Sequence, residues 1–200
     1  MKLIYRGIYR GEDQLPKGEL PDRAVPFQEP EDPEALNRAA MLFLLPALVV
    51  SLGVVFGAVL LREYLTIWPF PWLLLGFLTA FLAIVPHELL HGLCFGRGAE
   101  VELFISPKDG MAFVVCTRPV SKGRFVWMCL CPNLVLGWLP LAIWAVMPCQ
   151  PGTGDVLLGF ALSSLSMGCG DYLNVYNALR QMPRGSVQQL SGFHSYWYLP

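Results

Sequence analysis

Polar and apolar positions divide this chain into tails, long runs and one structured connection. Residues 1–36 are rich in proline and charge. Within them, Lys2 to Tyr9 alternates enough to predict a short strand. Asp32-Pro33-Glu34 reads as a helix start, with Asp32 as N-cap, Pro33 in the first turn and Glu34 near the positive end of the helix dipole. Four apolar runs follow, at about 39–61, 68–95, 125–147 and 156–179. Each reaches or exceeds the ~20 residues that cross ~30 Å of hydrocarbon at ~1.5 Å per residue. The second is longer than a span needs and should tilt or bend. Pro86 is its expected bend, because proline lacks an N–H and its ring crowds the carbonyl of Leu82. Between the second and third runs, two β-rich stretches, 101–106 and 111–116, flank Pro107-Lys108-Asp109-Gly110, a pattern that predicts a hairpin. No internal repeat or low-complexity tract interrupts this order.

Composition agrees with a membrane protein. Hydrophobic residues make up 54% and charged residues only 14%, where a soluble domain carries about 25% charge. Mean hydropathy is +0.49. The net charge of −1 gives no reason to expect a nucleic-acid partner. The six cysteines (Cys94, Cys116, Cys129, Cys131, Cys149, Cys169) contain no CxxC pair and read as small apolar side chains rather than a disulfide framework or metal site. Met1-Lys2-Leu3-Ile4-Tyr5-Arg6 has no apolar core of a signal peptide, so no cleaved leader is expected.

The basic residues set an orientation. Lys2, Arg6, Arg10, Lys17, Arg23 and Arg38 precede or open the first span; Arg97, Lys108, Arg118, Lys122 and Arg124 lie between the second and third; Arg180 and Arg184 follow the fourth. The other two connections hold Arg62 alone. This asymmetry predicts a multi-pass protein of the cell membrane with both termini in the cytoplasm. The expected fold is therefore all-α: a bundle of four transmembrane helices with a short β-hairpin in the cytoplasmic loop between helices 2 and 3. It divides into a cytoplasmic N-terminal segment (1–36), a membrane domain (37–180) and a cytoplasmic C-terminal tail (181–200), whose aromatic run 191–198 reads as an interfacial anchor.

Candidate chemistry sits at the end of the second run, in Pro86-His87-Glu88-Leu89-Leu90-His91-Gly92. This is an HExxH sequence, and it holds two of the three histidines of the chain. Imidazoles four residues apart on a helix lie one turn apart on the same face and can reach one Zn²⁺, while Glu88 is placed to serve as general base without ligating the metal. An ionisable group within a span costs about 2.5–3.5 kcal/mol or more, which argues for a role.

A catalytic zinc takes three protein ligands and leaves one position open. His194 belongs to the aromatic tail, and Glu100 and Glu102 follow the motif too closely and sit on a predicted strand. Asp171 lies within the fourth run. Counted from the basic residues at the cytoplasmic ends of the spans, His91 and His87 are six and ten residues inside, Asp171 nine and Asn133 nine. At ~1.5 Å per residue these positions share one depth to within a few ångströms. Asp171 is thus the expected third ligand, the alternative being a structural hydrogen bond between helices. Ser164, Gly168, Asp171 and Asn174 form a small and polar stripe that permits close helix approach. Asn133 has four readings: hydrogen-bonding a ligand, orienting substrate, stabilising an oxyanion, or a structural inter-helix bond. Asn174 and Asn177 read as supporting or structural residues, and Ser163, Ser164 and Ser166 as hydroxyls bonded back to their own helix.

The HExxH of one span, Pro132-Asn133 in the next and Asp171 in the last resemble the site-2-protease class of intramembrane zinc metalloproteases. The small size, proline-rich N-terminal tail and Gly170-Asp171 look closest to the bacterial family called putative zincin peptidases. The resemblance covers most of the chain from Trp68 to Leu179. Asp171 is followed by Tyr172, where the site-2-protease class typically has Asp-Gly, and no PDZ-like module is present. The resemblance implies a zinc-dependent endopeptidase acting on membrane-associated or membrane-embedded protein or peptide substrates near the cytoplasmic leaflet, with His87, His91 and Asp171 on the metal and Glu88 as catalytic base. The hairpin is then either a connector at the interface or an edge that binds a substrate segment in extended form. A catalytically silent zinc-binding or scaffold protein is the alternative, and an ion carrier a more distant one.

Overall fold

The computed structural model describes residues 1–30, 33–62, 69–148 and 150–200. The expected N-cap Asp32, the start of the second run at Trp68, and Cys149 lie outside the described residues. The fold is mostly helical and divides into two units. One comprises Met1–Glu31, Ile84–Cys131 and Asn174–Pro200; the other comprises Asp32–Ala83 and Pro132–Leu173.

The first unit contains the HExxH helix and two small sheets. Strand β1 (Lys2–Ile8) runs parallel to β3 (Glu100–Ser106), with Lys2 opposite Glu100 and Ile4 opposite Glu102. Strand β4 (Met111–Val115) pairs antiparallel to β3, Leu103 opposite Val114 and Ile105 opposite Ala112, giving the order β1-β3-β4. The hairpin expected from the sequence is therefore present. Its turn is closed by the Ser106 hydroxyl, which donates to Asp109 Oδ2 at 2.6 Å, and by Gly110 at φ +64°. Lys2–Glu100 (2.7 Å) and Arg6–Glu102 (2.6 Å) flank the β1–β3 seam. Both pairs are solvated enough to fix register more than to add stability.

The strand expected from Lys2 to Tyr9 is β1, but the second sheet departs from the sequence reading, which expected no strands beyond that one and the hairpin. Here β2 (Val25–Pro26), β7 (His194–Tyr198), β6 (Val187–Ser191) and β5 (Val120–Ser121) lie side by side in that order. The aromatic run read as an interfacial anchor is a strand of this sheet. Its alternation, with Ser195 buried between the exposed His194 and half-buried Tyr196, suits a pleated surface. Gln188 Nε2 donates to Ser195 Oγ (3.2 Å), and Tyr198 Oη–H donates to Gln189 Oε1 (2.7 Å). Two apolar clusters tie the distant segments together. Tyr9, Phe104, Phe113 and Phe193 meet edge to face, stacked or tilted at 5.2–6.3 Å between ring centres. Phe95, Val101, Cys116, Phe125, Met128 and Ala178 form the buried core nearest the HExxH helix.

The second unit is helical: α1 (Pro33–Arg62), α2 (Phe70–Leu82), a π-helical turn (Leu134–Trp138), α5 (Leu139–Val146) and α6 (Thr153–Met167). Helices α2 and α6 cross at reciprocal glycines. A Cβ on Gly159 would stand 2.3 Å from the Leu73 carbonyl oxygen, and one on Gly76 2.1 Å from that of Val156. Glycine is required at both positions for backbone contact. Leu141, Trp144, Leu158, Ala161 and Leu165 fill the core. Leu42, Val49, Phe56 and Leu61 on α1 remain exposed, as a lipid-facing surface would.

The remaining helices are α3 (Ile84–Cys94), α4 (Lys122–Asn133) and α7 (Cys169–Gln181). Among the described residues, two helices are long and apolar enough to cross a membrane, Ala35–Arg62 and Lys122–Val146. The number rises to four if α2 with α3, and α6 with α7, each count as one broken span. The first break falls at Ala83, where Pro86 denies the Leu82 carbonyl its helical donor, as the sequence predicts. The second, at Gly168, was not expected from the sequence. The third run is irregular too: Leu139 N–H reaches the Leu134 carbonyl over five residues.

Candidate metal centre

Helix α3 carries His87 and His91 one turn apart, with ring centres 5.0 Å from each other. One ligand atom from each of His87, Glu88 and His91 lies within 4.8 Å of the other two, and all three residues are half-buried. The helix places them and the packing around it fixes them. The nitrogen Nδ1 of His91 is 2.9 Å from the Met128 carbonyl oxygen. A carbonyl only accepts, so Nδ1 carries the proton of this bond and Nε2 is the ring atom that would ligate a cation. Gly92 follows at a crowded point, where a Cβ would meet Met1 Sδ at 3.1 Å and Val101 Cγ1 at 3.2 Å. The absence of a side chain there lets the β1–β3 seam close against α3.

Glu88 turns toward the sheet. Its Oε2 accepts the backbone N–H of Val114 at 3.0 Å. Because that amide points to α3, it points away from β3, and the open side of edge strand β4 faces the HExxH helix. Two imidazoles at this spacing suit zinc, the Glu88 carboxylate lies beside them where a metal-bound water would be, and the bond to Met128 sets the His91 tautomer that would ligate through Nε2. The chemistry of the residues present thus fits a metal centre.

The other predicted residues form a second arrangement, in the other unit. Asn133 is 1% exposed and Asp171 9%. Asn133 Nδ2 donates to Asp171 Oδ2 at 2.8 Å. Gly168 makes room for this pair: a Cβ there would stand 1.6 Å from Asn133 Oδ1. The Gly168 carbonyl then accepts the amides of Asp171 (3.1 Å) and Tyr172 (3.2 Å), which starts α7. The sequence reading put Asn133 and Asp171 at one depth, with an inter-helix hydrogen bond among the readings of each, and placed Gly168 only in a stripe of small residues. Asn174 is half-buried on α7 in the first unit, and His194 is exposed on β7. The hydroxyls of Ser163 and Ser166 donate to Gly159 and Leu162 carbonyls (2.7 and 2.9 Å), as expected for helix back-bonding, whereas the buried Ser164 hydroxyl, expected to do the same, makes no such bond. None of the five described cysteines forms a disulfide. Burial pushes the Cys116 thiol above its ordinary pKa, which keeps it protonated and a poor ligand.

This arrangement defines a zincin-type site, an HExxH helix beside the open edge of a small sheet. Residues 80–187, just over half the chain, match the model of the family described as "Putative zincin peptidase", and the chain belongs to that family. Membership suggests metallopeptidase activity and implies zinc. No curated protein and no solved structure matches the chain.

Proposed function

We propose that this protein is a zinc-dependent intramembrane endopeptidase of the cell membrane that hydrolyses peptide bonds of membrane-associated substrates near the cytoplasmic leaflet. The observation that carries this reading is the convergence of His87, Glu88 and His91 within 4.8 Å on a helix that ends a long apolar run. His87 and His91 hold the metal, and Asp171 supplies the third ligand. The equal depths counted along the sequence support that assignment, as does the burial of a carboxylate that an amide side chain already orients. Zinc held there would supply a water of lowered pKa, toward about 7, and a polarised carbonyl. Glu88 takes the proton of the attacking water and passes it to the departing amine. The Met128 carbonyl holds the His91 ring in one orientation throughout. The open edge of β4 holds the substrate extended, so a helical substrate must unwind locally before its carbonyl is accessible. Intact Glu88 favours an enzyme over a silent zinc-binding protein, since structural zinc does not need it.

Purified protein in detergent is expected to hold about one zinc per chain. The double variant His87→Ala, His91→Ala is expected to hold none, by metal analysis after gel filtration. Unchanged zinc content in that variant defeats the site. The topology is tested separately. A reporter inserted at Pro107–Gly110 is expected on the cytoplasmic side, and one at Gln150–Gly152 on the opposite side. An external β3–β4 turn removes both the orientation and the depth match that supports Asp171.

A further inference from the structure

Strand β4 forms an edge of its sheet, and the positions opposite Leu103 and Ile105, Val114 and Ala112, share one backbone orientation with period two. The Val114 N–H leaves the sheet and is taken by Glu88 Oε2 at 3.0 Å. An extended peptide added to this edge needs that same N–H for its own carbonyl. One donor therefore faces two acceptors, the catalytic carboxylate and the incoming backbone, and serves one at a time.

We propose that the Val114 amide is a substrate-operated latch: it tethers Glu88 in the resting protein and passes to the substrate backbone on binding, which frees the carboxylate for the attacking water. The proposal rests on the peptidase reading above and adds to it a coupling between occupancy of the β4 edge and release of the base. Exchange of one hydrogen bond for another changes little in net energy, so the hand-over needs no rearrangement of the fold. Val114 acts here as a positioning residue, through its backbone alone.

Val114→Pro removes this donor and no ladder bond, since a proline is tolerated where the amide points off an edge strand. Val114→Ala keeps the donor. Two probes read the latch in zinc-loaded protein. Acetohydroxamate is too small to reach the β4 edge, whereas a peptide hydroxamate of four or so residues lies along it. In Val114→Pro, acetohydroxamate binding is expected to tighten about three- to tenfold, the equivalent of one hydrogen bond, while peptide hydroxamate binding stays within about twofold, because the variant loses the tether and the substrate's bond together. Val114→Ala should shift neither. Shifts in the same direction for both probes, or none, overturn the latch, because a merely structural role moves both alike. A second measurement needs neither metal nor activity, and it decides the matter should Val114→Pro fail to fold. In metal-free protein the Val114 amide is expected to exchange with deuterium at least about tenfold faster in Glu88→Ala than in the parent, while amides of β3 stay unchanged. Equal exchange at Val114 overturns the tether. A parent that holds zinc but cleaves nothing defeats the peptidase reading and leaves this exchange contrast in place, so the two failures are separable.

Discussion

Glu88→Gln is expected to retain its zinc and to lose peptide hydrolysis by about 10²–10⁴-fold, the range that a positioned general base contributes. The substitution is nearly isosteric. The carbonyl oxygen of the new side chain still accepts the Val114 N–H that now reaches Glu88 Oε2 at 3.0 Å, so α3 and β4 keep their contact. His91 remains fixed by the Met128 carbonyl. What a carboxamide cannot do is accept the proton of water and return it to the leaving nitrogen. Metal analysis and single-turnover cleavage in detergent separate the two properties. A Glu88→Gln protein that processes substrate at the parent's rate removes the hydrolytic role of Glu88. One that loses zinc as well assigns the carboxylate to the metal.

The second large effect is expected at Gly168, a residue that touches no ligand. Its backbone is at φ −83°, which any residue adopts, so conformational freedom is not the reason for glycine. Space is the reason. A methyl group would fall 1.6 Å from Asn133 Oδ1 and 2.5 Å from its Cγ. Gly168→Ala must therefore expel the Asn133 side chain and break its 2.8 Å bond to Asp171. The expected loss is about 1–3 kcal/mol of stability, as for other overpacked interiors. Zinc affinity should fall with it if Asp171 ligates. Asn133→Ala should lose the same bond, and the double variant should cost less than the sum, with a coupling of about 0.5–3 kcal/mol. Thermal melts of the four proteins in one detergent measure this. Strict additivity, or a Gly168→Ala melt at the parent's temperature, contradicts the packing described here.

These two positions show what can be read along a chain and what cannot. His87, Glu88 and His91 were legible because helical geometry alone brings positions four apart to one face, and the β3–β4 hairpin because its strands and turn are neighbours in sequence. Pro86 announced the break at Ala83 because the missing donor acts within its own turn. Gly168 announced nothing, since its meaning depends on an asparagine 35 residues away. The second sheet was hidden for the same reason. Two of its strands are two residues long, too short for any period, and exist only because β6 and β7 offer them an edge. The aromatic residues of β7 suit a membrane interface and a strand equally well, and only pairing with β6 distinguishes the two.

The parallel pairing of β1 with β3 sets a schedule for biosynthesis. Lys2 finds its neighbour Glu100 only after 98 further residues have been made. At about 5–20 residues per second the first strand waits on the order of 5–20 seconds, unpaired, while the intervening apolar helices leave the ribosome. During that interval a strand bearing Leu3, Tyr5 and Ile8 on its exposed positions is a template for any other nascent copy. Faithful production of this protein therefore depends on keeping neighbouring chains apart until the middle of the polypeptide has emerged.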